Sequence, residues 1–89
     1  MREISKEVLI SCQLSFYPLN AADCLPDIEA VLSIIRNAGL DHTGGELSTV
    51  VQGSSEAVFG LLRRIVRSMD ERGCKFAMPV TISNTCGLD

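Results

Sequence analysis

The chain has 89 residues, of which 46% are apolar and 21% charged, with a formal net charge of −3. That length accommodates one domain over residues 1–89, and the apolar share excludes a disordered tail. Scattered Lys and Arg, a pI near 5.0 and 4% aromatic residues exclude a basic, base-stacking face for nucleic acid.

No apolar run reaches the ~18 residues of a membrane span, so no membrane insertion is expected. The charged segment Met1–Glu7 leads straight into a strand-like run without a secretory-type apolar region, and a cytoplasmic location is the expectation. A folded monomer of this size buries only about 60–65% of its unfolded surface. With a mean hydropathy of +0.23, that predicts apolar surface covered by a second copy of the chain.

Residues 8–17 alternate: Val8, Ile10, Cys12, Leu14 and Phe16 on one side, Leu9, Ser11, Gln13, Ser15 and Tyr17 on the other. Period two predicts a strand with one apolar face, ended by Pro18, which has no ladder N–H. A helix over about 23–38 follows, with Asp23 as N-cap and Pro26 in its first turn. Ile28, Val31, Leu32 and Ile35 form its core-facing stripe, and Gly39 supplies its left-handed end. Leu40–Gly45 reads as a short strand or turn, with Gly44-Gly45 as a hairpin signal. A third strand covers 46–52, and Ser54 or Ser55 caps a second helix over about 55–72. Val58, Leu61, Leu62, Ile65 and Met69 form the stripe of that helix, and Gly73 ends it. The last strand, about 74–84, sets Phe76, Met78, Val80 and Ile82 against Ala77, Pro79, Thr81 and Ser83, and Pro79 argues for a sheet edge.

The order β-α-β-β-α-β with right-handed crossovers gives an α+β ferredoxin-like plait, core about 8–84. It is a four-stranded antiparallel sheet with both helices on one face. Fold alone says nothing of chemistry. The other sheet face is the place to look. It carries Leu9, Ser11, Gln13, Ser15 and Tyr17 from the first strand and Ala77, Thr81, Ser83 and Thr85 from the last. The third strand adds either Leu47, Thr49 and Val51 or Ser48, Val50 and Gln52. A face that is neutral and partly apolar, with almost no charge beyond Lys75, suits burial against another sheet or around a small polar ligand.

Gln13-Leu-Ser-Phe-Tyr-Pro-Leu19 resembles the first-strand signature of the thiamine-binding, YkoF-like family. Gly39-Leu40-Asp41, Ser48-Thr49-Val50-Val51-Gln52-Gly53 and Glu56-Ala57-Val58-Phe59 are similar to the rest of its pattern, so the resemblance spans about residues 8–84. It implies a non-catalytic protein that binds thiamine or its hydroxymethylpyrimidine part in thiamine supply or salvage. It also implies no further cofactor, and pairing of single-repeat chains into a homodimer or homotetramer. The ligand-binding positions carried over are Gln13, Ser15, Tyr17, Ser48 and Thr49. Ser, Thr and Gln offer both donor and acceptor to an aminopyrimidine edge, and Tyr17 offers a ring to a flat heterocycle. The thiazolium cation could meet Tyr17, Asp41 or Glu46, although turn carboxylates are ordinarily just solvated.

Other chemistry finds little footing. Cys12, Cys24, Cys74 and Cys86 form no C-x-x-C and read as reduced thiols, with a redox role as the alternative. His42 stands in a Gly-rich turn without a partner, and no His/Cys/carboxylate spacing suits a metal. Arg63, Arg64 and Arg67 read as a solvated helix face beside Asp70 and Glu71. Two rival functions remain. One is an oligomeric ligand-sensing or interaction module with a different ligand. The other is an acylphosphatase-like hydrolase, whose loop Val51-Gln52-Gly53 partly resembles. That enzyme needs a Gly-rich loop and an Arg after the first strand, where this chain has Pro18-Leu19-Asn20-Ala21-Ala22.

Overall fold

The computed structural model describes residues 8–19, 23–44 and 48–84. The readings that fall on Met1–Glu7, Asn20–Ala22, Gly45, Glu46, Leu47, Thr85 and Cys86 lie outside these. The described elements are β1 (Leu9–Ser15), β2 (Tyr17–Leu19), α1 (Leu25–Asn37), β3 (Asp41–Gly44), β4 (Ser48–Ser54), α2 (Ser55–Glu71), β5 (Lys75–Ala77) and β6 (Val80–Ser83). The antiparallel sheet has the order β3-β4-β1-β6, as the plait requires, and β2 pairs with β5 beside it.

The first and last strands are each interrupted, yet their pairing is continuous. Leu14 faces Val80 in β1/β6, and Tyr17 faces Ala77 in β2/β5, so the register runs unchanged through the gap. Pro79 explains the interruption. Ser15 N–H donates to the Pro79 carbonyl at 3.0 Å, and Pro79 has no N–H with which to return the bond. Pro18 does not end the strand as expected from sequence. It lies inside β2 opposite Phe76, at a position where alternation directs its nitrogen away from β5. Phe16 bridges the gap on the covered side, where its ring stacks on Phe76 with centroids 5.4 Å apart.

Both helices follow their stripes. Ile28, Val31 and Ile35 of α1 and Val58, Leu61, Ile65 and Met69 of α2 are buried. They meet Ile10, Cys12, Leu14, Phe16 and Val51 from the sheet in one core. The cap of α1 differs from the expected one. Cys24 is the N-cap without a side-chain cap bond, and Asp23 Oδ1 instead accepts the Leu25 N–H at 3.2 Å. Ser54 caps α2 by accepting the Ala57 N–H. At the other end Gly73 has φ +71, Cys74 N–H reaches the Met69 carbonyl and Gly73 N–H the Asp70 carbonyl. That is a Schellman stop. Arg72 Nε then donates to Asp27 Oδ1 at 2.8 Å, tying the end of α2 to the start of α1. Among the described residues no helix is long and apolar enough to cross a membrane.

Candidate functional site

Which residues line the helix-free face follows from the register. Cys12 pairs with Val51 and Leu14 with Thr49, and all four are buried. The intervening pairs, Ser11 with Gln52, Gln13 with Val50 and Ser15 with Ser48, therefore belong to the uncovered side. The register left open by the sequence is settled: Ser48, Val50 and Gln52 share the face of Gln13 and Ser15. Thr49 does not. It is 4% exposed, opposite Leu14 on the side of the helices. Ser48 and Thr49 thus cannot both present hydroxyls to one ligand on this face.

The remaining strands complete the surface. Thr81 stands opposite Gln13 and Ser83 opposite Ser11, while Tyr17 pairs with Ala77 and Leu19 with Lys75. On the other flank Asp41 pairs with Gln52 and Thr43 with Val50. The face is thus a grid of cross-strand rows. One row runs Asp41, Gln52, Ser11, Ser83 and the next Thr43, Val50, Gln13, Thr81. Beyond these come Ser48, Ser15 and Pro79, then Tyr17 and Ala77.

Local chemistry differs along this grid. Directly opposed Ser15 and Ser48 have Cβ atoms about 5 Å apart, which lets two hydroxyls address one ring edge. Tyr17, 45% exposed, follows two residues on. In the Gln52 row the Gln52 Nε2 donates to Ser11 Oγ at 3.2 Å, and that cover leaves Ser11 only 3% exposed. Ser11 and Gln52 form a pair that the sequence does not announce, because a strand with hydroxyl and amide groups on both sides hides its register. Tyr17 and Asp41 are six residues apart along the strands and two strands apart, roughly 20 Å, so one two-ring molecule cannot touch both. Glu46 lies outside the described residues.

The groups with general-base or thiol chemistry lie elsewhere. His42 is exposed on the helix side of β3, opposite Val51, with Nδ1 3.2 Å from the Leu40 carbonyl oxygen. Cys12 is fully buried, and burial pushes its thiol above the ordinary range. Burial, and then the neighbouring Asp27 carboxylate, raise Cys74 as well. Cys12, Cys24 and Cys74 are free thiols. Among the described residues no group of three His, Cys, Asp or Glu side chains is placed to hold a metal ion.

The sequence profile of the YKOF-related family matches residues 9–89. The chain belongs to that family. Solved structures share its fold. A candidate thiamine biosynthesis/salvage protein of Thermotoga maritima superposes with a TM-score of 0.71 at 17% identity, over 84% of this chain and 82% of that one. A domain of unknown function from Bacillus cereus gives 0.74 at 13% identity, over 86% and 76%. A hypothetical protein of Methanocaldococcus jannascii gives 0.75 at 11%, over 92% and 86%. No curated protein matches the chain. In this YKOF-related protein the described residues form a plait whose helix-free face carries Ser, Thr and Gln side chains.

Proposed function

We propose that this protein is a non-catalytic, cytoplasmic binding protein for thiamine or its hydroxymethylpyrimidine moiety, serving thiamine supply or salvage. The observation that carries the reading is the grouping of Gln13, Ser15, Ser48 and Tyr17 on one uncovered sheet face. Hydroxyls and an amide match the mixed donors and acceptors of an aminopyrimidine, and Tyr17 offers it a ring. Family membership and the description of the Thermotoga maritima neighbour point the same way. Thr49 enters as a positioning residue, packed beneath the face and beside Ser48, not as a ligand contact.

The reading is of binding because the serines of this face have no base beside them among the described residues. His42 is directed to the opposite side. An open face needs a cover, and we assign that role to a second copy of the chain, in a homodimer or homotetramer. Leu9 at 66% exposure and Leu19 at 45% lie on it, as does Val50, half-buried. Sheets stacked about 10 Å apart would bury these residues and enclose a flat ligand.

Calorimetry with thiamine and with hydroxymethylpyrimidine tests the reading. Saturable heat from at least one is expected, with Tyr17→Ala weakening it about five- to ten-fold at unchanged melting temperature. No heat and no thermal shift with either compound at millimolar concentration would overturn the assignment.

A further inference from the structure

Among the described residues the helix-free face carries two charges, and they stand at its opposite ends. Lys75 is paired with Leu19 in the β2/β5 ribbon, and Asp41 with Gln52 at the β3 edge. The Ser15–Ser48 pair lies midway. Lys75 is four residues along the strand from Pro79, which bonds Ser15, and Gln52 is four residues from Ser48. Each charge is therefore about 13 Å of strand from the hydroxyl pair, on opposite sides. Both side chains are exposed, and the described residues in the rows between them are all neutral. A molecule lying along the strands thus meets a fixed gradient, positive at Tyr17 and negative at Gln52.

Resting on the reading above, we propose that this polarity orients the ligand and selects its unphosphorylated form. With the neutral aminopyrimidine on Ser15 and Ser48, the cationic thiazolium extends over Gln13 and Val50 toward Asp41. The opposite orientation would push the cation against Lys75. Val50 and Asp41 are diagonal neighbours, about 7–8 Å apart, a separation at which a surface charge pair changes affinity a few-fold. A phosphate on the hydroxyethyl arm would extend further along the same line. It would meet the Asp41 carboxylate, with no Lys or Arg on that half of the face among the described residues.

Titration calorimetry at low ionic strength, pH 8, with thiamine, thiamine monophosphate and hydroxymethylpyrimidine separates the outcomes. Thiamine is expected to bind at least five-fold more tightly than its monophosphate, and raising salt to 0.5 M should shrink that gap by screening. Asp41→Asn should weaken thiamine about three-fold and leave neutral hydroxymethylpyrimidine unchanged. Lys75→Gln should preserve the ranking. Monophosphate binding as tightly as thiamine, or a preference for monophosphate that Lys75→Gln abolishes, would overturn the inference. So would equal loss of both unphosphorylated ligands in Asp41→Asn. Because the monophosphate comparison uses the unaltered chain, it decides even if a variant folds poorly. Binding without discrimination would leave the thiamine reading standing, whereas no binding by any of the three compounds would end both.

Discussion

Ser48 and Thr49 carry the same functional group at adjacent positions of β4, and strand alternation separates what the two can do. Ser48 is exposed beside Ser15, and Thr49 is buried beside Leu14. Thr49→Ala should therefore lower the melting temperature by several degrees, on the order of 1 kcal/mol for a buried hydroxyl that already has a partner. Ser48→Ala should leave it within a degree and weaken ligand binding. Thermal unfolding of both variants, with and without ligand, checks this. The Asp27–Arg72 pair has a pH signature. The Arg72 hydrogen bond holds the Asp27 carboxyl below its ordinary value, so the folded state favours the ionised form. The stability this lends is complete above the ordinary carboxylate pKa near 4, and it is lost as pH falls through the lower folded-state value. Melting curves between pH 5 and pH 2.5 should show a shallower decline for Asp27→Asn than for the unaltered chain. Cys12 should resist a thiol reagent until the protein unfolds, since the thiolate is both desolvated and unreachable.

At the scale of elements, turns and interruptions follow from backbone chemistry. Gly44 ends β3 at φ +127, and a Cβ there would stand 2.4 Å from the Ser48 backbone oxygen. Gly53 also meets a close neighbour, but it is the Leu40 side-chain tip at 2.8 Å, which can move. Gly44→Ala should therefore destabilise by more than about 2 kcal/mol and Gly53→Ala by clearly less, as denaturant titration would show. The two helices were legible in the sequence because their signals are local: apolar stripes of period 3.6, a Ser cap and glycines at their ends. Splitting of the first and last strands was less so. Pro79 marks a break, but only the pairing partner shows that the register continues across it, which puts Tyr17 and Ser15 on one continuous face.

At the scale of the molecule, most charged groups among the described residues sit on the helices, while the described residues of the opposite sheet face between Asp41 and Lys75 are neutral. Val80 and Ile82 point toward the helix side, yet remain 41% and 39% exposed, because the helices do not cover the edge strand β6. That edge and the open face together predict association. Light scattering at micromolar concentration should give at least twice the 9.6 kDa chain mass, and a Leu9→Asp, Leu19→Asp double variant should shift it toward the monomer.

The sequence by itself determined the α+β class, the order of elements, the two helix stripes and the neutral character of the first strand's outer side. Each of these depends on residues close together along the chain. The tertiary structure decided which of Ser48 and Thr49 lies on the helix-free face, that Gln52 covers Ser11, and that Lys75 and Asp41 stand at opposite ends of one surface. A strand reading Ser-Thr-Val-Val-Gln has no period of its own, so its two sides become distinct only when Val51 is paired with Cys12 beneath the helices.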